Sequence, residues 1–296
     1  MTAPTTTCAR CIRTQATRSS MISSVSDLRE KAPVARHVRP EPTGTEFASV
    51  PVVDIEAQSV SKSFGDTPIF SDVSFRLVRG SSTALVGANG VGKSTLLRCV
   101  MGLIPATAGG VRLLGEPATG VRKSDLRALR ARIGLVSQKH NLVPRLSVLS
   151  NVLHGMLGRT GGPRHWAHGF APEASRRAAM EALDKVGLVH LALRRADRLS
   201  GGQSQRVAIA RAIVGAPEIL FADEPTASLD PQAGKDVMDL FMSLARENGV
   251  TVVFTSHNID HALSYGDRVL GLAEGRKMLD ATAVSLTASD LRGLYD

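Results

Sequence analysis

The chain has little of what marks several common protein classes. Its 296 residues include only three cysteines, Cys8, Cys11 and Cys99. That is too few for a disulfide framework and points to a reducing compartment. Cys8 and Cys11 form a C-x-x-C pair, but a structural zinc takes about four ligands and no second pair follows. The pair reads as incidental, and Cys99 is expected to be buried and inert. Aromatic residues make up 4% of the chain. No stretch approaches the roughly 18–20 continuous apolar residues of a membrane-spanning helix. Acidic residues are outnumbered, 27 against 36 Lys and Arg, giving a formal charge of +9 and a pI near 10.0. Nucleic-acid binding is one reading of that excess. The basic residues are scattered, however, and no nucleic-acid motif is present, so no nucleic-acid partner is expected. Proximity to an anionic membrane surface accounts for the charge as well.

Residues 1–50 are rich in Thr, Ser, Arg and Pro and carry little apolar periodicity. They lack the apolar centre of a secretory signal, and Asp27 and Glu30 weigh against a transit peptide. A disordered extension is the expectation, with Met21 as a candidate later start. Hydrophobic residues are 43% of the chain, ample for the core of one large or two small domains.

What is present is concentrated at residues 87–95, which read G-A-N-G-V-G-K-S-T. They satisfy G-x-x-x-x-G-K-[ST] with Gly87, Gly92, Lys93 and Ser94. The apolar run 83–86 leads in as a strand, and a helical pattern over 95–101 leads out. Glycines let such a loop wrap its backbone N–H groups around a triphosphate, and the helix N-terminus adds partial positive charge. In that frame Gly87, Ala88, Asn89, Gly90, Val91, Gly92, Lys93, Ser94 and Thr95 cradle the phosphates. Lys93 reaches the β/γ-phosphates and Ser94 offers its hydroxyl to Mg²⁺.

Two further segments narrow the chemistry. Residues 218–224, E-I-L-F-A-D-E, read as a buried parallel strand ending in two carboxylates. Ligand groups of a doubly wound sheet sit at such an end. Asp223 is then placed to hold Mg²⁺ through water, and Glu224 to face the water in line with the γ-phosphate. Residues 199–203, L-S-G-G-Q, put two glycines before a helical pattern over 205–215 and make a second anion-binding N-terminus. One nucleotide needs only one such end for its γ-phosphate, so a second suggests that the nucleotide is shared.

With these three pieces in this order, the chain resembles an ABC-type ATPase, the nucleotide-binding subunit of an ABC transporter, from about residue 52 to at least 278. The resemblance implies an α/β P-loop fold: a mainly parallel core, an N-terminal antiparallel β part and a helical subdomain inserted at about 140–215, all within 51–296. It also implies further roles. Phe64, in S-K-S-F-G, matches the aromatic that stacks on adenine. Gln138 matches the glutamine that touches Mg²⁺ and the attacking water. Residues 228–230, with Asp230, match a loop at the dimer interface, and His257 matches the switch histidine on the γ-phosphate. Taken singly, Phe64 would fit an ordinary core position, Gln138 a polar strand end and His257 a histidine following a buried strand. The implied partners are a second copy forming an ATP sandwich, with Ser200, Gly201, Gly202 and Gln203 reaching across; membrane permease subunits; and, indirectly, a solute-binding protein. The implied place is the cytoplasmic face of the inner membrane.

Residues 141–153, N-L-V-P-R-L-S-V-L-S-N-V-L, are similar to the run that follows the glutamine in phosphonate-import ATPases, and 186–192 and 257–263 are similar too. An importer of another small solute, such as a phosphate ester or an amino acid, is the alternative. ABC-type ATPases that act on DNA or ribosomes usually carry two ATPase halves or long insertions, which this chain lacks. Glu224 and His257 count against an idle regulatory module.

Elsewhere the pattern predicts mostly β-structure over 52–80 and strands at 111–114, 133–137, 250–255 and 268–272. It predicts helices over 172–186, 231–248 and 258–265. Residues 161–168, with His165 and His168, read as a solvated Gly/Pro-rich loop and not as a metal site.

Overall fold

The computed structural model describes residues 51–160, 165, 167–227 and 229–295. The extension expected at 1–50 lies outside the described residues, as does Ser228. Strands β1 (Val53–Phe64) and β2 (Thr67–Val78) pair antiparallel, and β1 pairs on its other side with β4 (Ala108–Leu113), which carries the short β5 (Glu116–Pro117). This four-stranded sheet is the antiparallel β part that the resemblance implies.

The main sheet has six strands in the order β10-β9-β3-β8-β7-β6. Its members are β3 (Ser82–Val86), β6 (Ile133–Val136), β7 (Ile219–Ala222), β8 (Thr251–Thr255), β9 (Arg268–Ala273) and β10 (Arg276–Thr282). All neighbours pair parallel except β9 with β10. The period-two alternation of its strands divides two cores. Ala84, Val86, Leu220, Ala222, Val252 and Phe254 face one apolar cluster, whereas Leu85, Ile219, Phe221, Val253 and Leu270 face the other. The second cluster takes in the four-stranded sheet and α1 (Lys93–Val100) through Leu96, Leu97 and Val100. Truncating a fully buried ring such as Phe221 to alanine costs about 3–5 kcal/mol.

After α2 (Lys123–Arg130) and β6, the chain forms the helices α3 (Val148–Leu153), α4 (Leu157–Thr160), α5 (Glu173–Lys185) and α6 (Gly201–Ile213). Leu149, Val152, Leu153, Ala179, Leu183, Val207 and Ile209 join them to the first cluster. α7 (Pro231–Glu247), α8 (Ile259–Tyr265) and α9 (Ala288–Arg292) cover the same face. The described residues belong to one compact unit that begins at Ser49. No helix among them is long and apolar enough to cross a membrane.

Several sequence expectations shift. α1 begins at Lys93, not 95, and α6 at Gly201, not 205, so both glycine-rich turns run straight into helix. α2, β10 and α9 were not anticipated; β10 is an edge strand with charges at Arg276, Lys277 and Asp280, which hide the alternation. The 161–168 loop is not solvated at His165. His165 is 3% exposed, with Nε2 2.9 Å from the Ser175 hydroxyl, and His168 Nδ1 lies 3.0 and 3.1 Å from the Ser150 and Ser147 hydroxyls. Serines at the starts of α3 and α5 satisfy the rings, which is why burial is tolerated. Cys99 is buried, and burial pushes its thiol pKa up.

Candidate active site at the carboxyl ends of the parallel strands

β3 lies between β8 and β9, and all five of its residues are buried. The loop after it therefore leaves the middle of the sheet at the carboxyl end, where doubly wound folds bind ligands. Gly87 (φ +140°) passes so close to β9 that a Cβ there would fall 2.1 Å from the Leu272 carbonyl oxygen. Only glycine fits. Gly92 (φ +105°) is the N-cap of α1 and offers no side chain to the first-turn N–H groups. Those donors stay open to an anion, with the helix dipole behind them. Asn89 and Gly90 are exposed at the crest of the loop.

Lys93 is 5% exposed, and its ammonium donates to the carbonyls of Gly87 (2.8 Å) and Ala88 (3.0 Å). Burial lowers its pKa, and the nearby Glu224 and Asp223 charges oppose that shift. Asp223, just past β7, accepts from the Ser94 hydroxyl at 2.7 Å and the Thr255 hydroxyl at 3.0 Å, both on Oδ1. The Arg98 guanidinium stands 3.8 Å from its other oxygen. Glu224 adopts φ +48°, a conformation an L-residue holds only under constraint. Its N–H donates to Thr255 Oγ1 at 2.8 Å, and its Oε2 accepts from Gln138 Nε2 at 2.9 Å. Gln138, two residues past β6, is thereby brought to Glu224. His257 is exposed, two residues past β8. The loops after β3, β6 and β7 and the end of β8 thus meet through Ser94, Gln138, Asp223, Glu224 and Thr255, while no hydrogen bond among the described residues joins His257 to them.

Thr255 was missed in the sequence. Its hydroxyl joins Asp223 to the Glu224 backbone, and the only signal was a threonine ending an apolar strand. Phe64 is 53% exposed at the end of β1, so it is not a core residue. The Lys62 ammonium lies 4.6 Å from the centre of its ring, a cation–π contact.

Two predicted segments stay apart from this cluster. Ser200 caps α6 in a capping box: its hydroxyl accepts from the Gln203 N–H (3.3 Å) and Gln203 Oε1 accepts from the Ser200 N–H (3.1 Å). Gly201 is exposed, and its nearest outside neighbour is Leu229. Among the described residues, no hydrogen bond joins Ser200–Gln203 to residues 87–95. Asp230 caps α7, accepting from the Ala233 N–H at 2.9 Å ahead of Pro231. A separate cavity of about 460 Å³, lined in part by Asp54, Arg79, Lys185 and Glu218, opens at the amino end of the sheet, away from these residues.

The donor set fits nucleotide and magnesium. A hydroxyl and a carboxylate already in contact supply hard oxygen ligands, and the loop offers a glycine-lined cradle with open N–H donors.

A glycine-lined phosphate loop on a parallel sheet, with an Asp-Glu pair at the end of the next strand but one, defines a P-loop nucleoside triphosphatase. The family model described as ABC transporter matches residues 70–227, and the chain belongs to that family, whose members are ATP-binding, ATP-hydrolysing cassettes. It is 48% identical over 243 residues to the phosphate-import ATP-binding protein PhnC of Mycolicibacterium smegmatis, covering 82% of this chain and 92% of that one. It is 46% identical to the phosphonates import ATP-binding protein PhnC of Nocardia farcinica, covering 82% and 90%. Among solved structures, it is similar to the ATP-binding cassette MJ0796, a dimeric post-hydrolysis state bound to ADP and Pi. That match has a TM-score of 0.68 and 31% identity, covering 77% of this chain and 98% of that one.

Proposed function

We propose that this chain is the ATPase subunit of an importer for phosphonates. On this reading two copies bind two ATP molecules head to tail on the cytoplasmic face of the inner membrane. They dock there, peripherally, on permease subunits supplied by a solute-binding protein. Phe64 stacks on adenine. Residues 87–95, with Lys93, hold the phosphates. Ser94, Asp223 and Gln138 hold Mg²⁺, which when bound screens the phosphate charge. Ser200 and Gly202 of the opposite copy grip the same γ-phosphate, and Asp230 lies at the interface between copies. Glu224 orients and polarises the attacking water, and His257 steadies the γ-phosphate. Phosphoryl transfer is mostly positioning and charge stabilisation, so assembling these groups is most of the catalysis. Hydrolysis removes the shared ligand and the dimer opens. The segment after Gln138 passes that motion to the permease.

The observation that carries this reading is the bonded series Ser94–Asp223–Thr255–Glu224–Gln138 at one end of the sheet. The names of the relatives support import of a phosphorus oxyanion. One of those names specifies phosphate, which favours inorganic phosphate as the second reading.

The test is uptake of a labelled alkylphosphonate in phosphate-starved cells lacking other importers, with the chain intact, absent, or carrying Glu224→Gln. Uptake that needs the intact chain and is competed by unlabelled phosphonate supports the proposal. Uptake of labelled phosphate that needs the intact chain, with no such dependence for the alkylphosphonate, supports the second reading. Uptake of both labelled solutes that is equal in all three strains removes both.

A further inference from the structure

Arg211 stands near the end of α6, the helix that starts at Ser200 and Gly201. Its guanidinium donates to the backbone carbonyls of His140 (2.5 Å) and Asn141 (2.6 Å). It makes no salt bridge among the described residues, and burial pushes its pKa down. A half-buried arginine whose fork goes to two backbone carbonyls acts through what it holds, since Arg–carboxylate pairing would be the stronger use of that fork.

What it holds is unusual backbone. His140 (φ +56°) and Asn141 (φ +50°) are successive non-glycine residues in the left-handed region, a costly arrangement that persists only where neighbours enforce it. With the chain so turned, both carbonyls reach one guanidinium. The loop is otherwise held by short-range bonds, His140 N–H to Ser137 O, Asn141 N–H to Lys139 O, and Asn141 Nδ2 to Ser137 Oγ. These bonds bracket Gln138, whose amide reaches Glu224. The other side of the tie is equally fixed. A Cβ on Gly155 would fall 2.0 Å from the Arg211 carbonyl oxygen, so the turn after α3 sits directly on the Arg211 backbone.

We propose that Arg211 is a positioning residue that ties α6 to the loop carrying Gln138, so that the Ser200 end of the helix and Gln138 move as one piece. The helix spans about 16 Å from Ser200 to Arg211 at 1.5 Å per residue. An α-helix is stiff over that length. A contact at its first turn is therefore felt at Gln138 through two bonds to consecutive carbonyls. This deepens the reading above: it connects Gln138, at this chain's own nucleotide, to the Ser200 turn that this chain offers to the other copy's nucleotide, and its catalytic consequence rests on the roles proposed there for Gln138 and Ser200.

The test uses the full-length chain with Arg211→Lys, which keeps the charge but cannot fork onto two carbonyls. Hydrogen exchange of residues 137–143 is expected to speed up at least tenfold. The KM for ATP is expected to stay within about twofold, while single-turnover hydrolysis slows about 10- to 100-fold, on the order of one lost hydrogen bond to a charged group. In a Gln138→Ala background, Arg211→Lys is expected to cost less than twofold, because the group it positions is gone. Unchanged exchange overturns the tie, whatever the activity. Faster exchange with unaltered hydrolysis, or with a slowing that multiplies independently of Gln138→Ala, overturns the positioning role. If Gln138→Ala alone leaves hydrolysis intact, the role given to Gln138 fails, and exchange still decides whether Arg211 holds the loop.

Discussion

The two glycine-rich helix starts of this molecule are built in opposite ways. At the first, Gly92 and Lys93 open α1 inside a network. Lys93 is bonded to its own loop, Ser94 to Asp223, and Asp223 through Thr255 to the Glu224 backbone. At the second, Ser200 and Gln203 bond to each other and Gly201 lies exposed. The first is a site whose charged groups already have partners within one chain. The second is a capped turn that, among the described residues, makes no hydrogen bond to residues 87–95. On the proposal above, the contrast is that of two half-sites on one chain facing different nucleotides, and assembly brings the second to the first of another copy. The solved dimer of a similar cassette is in keeping with this division.

The contrast breaks most severely if the first half-site does not carry the groups that hydrolyse the nucleotide. Glu224→Gln keeps the side chain's shape while removing its charge. We expect hydrolysis to fall at least about 100-fold, the scale of a lost general base. ATP binding should persist and an ATP-dependent dimer accumulate in light scattering. Rapid steady-state turnover by this variant would refute the role of Glu224. Lys93→Ala removes a buried ammonium that the loop carbonyls hold at 2.8 and 3.0 Å. Losing a charge-assisted bond of about 1.5–3 kcal/mol should weaken nucleotide binding or turnover roughly 10- to 100-fold. Unaltered titration of a fluorescent ATP analogue, together with unaltered turnover, would exclude it from the site.

The same contrast explains what was legible in the sequence. The first half-site depends on spacing along strands and loops, so Gly87, Lys93, Ser94, Asp223 and Glu224 could be placed from the order of motifs alone. The parallel core was legible because buried strands such as β7 and β8 read as continuous apolar runs. Thr255 and Arg211 were not legible. Each acts through contacts between segments far apart in the chain, and neither belongs to a recognisable string. The reading of 161–168 as solvated failed at His165 for a related reason: Gly and Pro suggested solvent, while the serines that hydrogen-bond its buried His165 and half-buried His168 lie on α5 and α3. The edge strand β10 escaped because its charged residues disguise a pairing that is antiparallel in an otherwise parallel sheet.

The second half-site can be sharpened with a substitution that leaves the fold alone. Nothing lies within 4 Å of a Cβ built on Gly202, and its backbone is helical, so Gly202→Asp should fold with stability within about 0.5 kcal/mol of the parent. A carboxylate at that turn would meet the γ-phosphate of a partner's nucleotide with like charge. We expect ATP binding by the monomer to be unchanged, while ATP-driven dimerisation weakens by about tenfold, one like-charge contact's worth of repulsion. Loss of binding by the monomer would mean that Ser200–Gln203 serves its own chain's nucleotide, and the comparison would collapse.

The smallest effect expected is at Asp230, where a fold role and a proposed interface role coincide. As N-cap of α7 it accepts the Ala233 N–H at 2.9 Å, so Asp230→Ala should cost about 1 kcal/mol, lowering Tm by about 2–4 °C. Asp230→Asn retains a capping oxygen and should melt close to the parent. The pair separates the two roles. If dimerisation under ATP weakens in both variants while Tm falls only in the alanine variant, the carboxylate acts across the interface as well as on its own helix. If dimerisation follows Tm, with asparagine restoring both, Asp230 is a helix cap alone, and the second half-site contracts to the turn at Ser200.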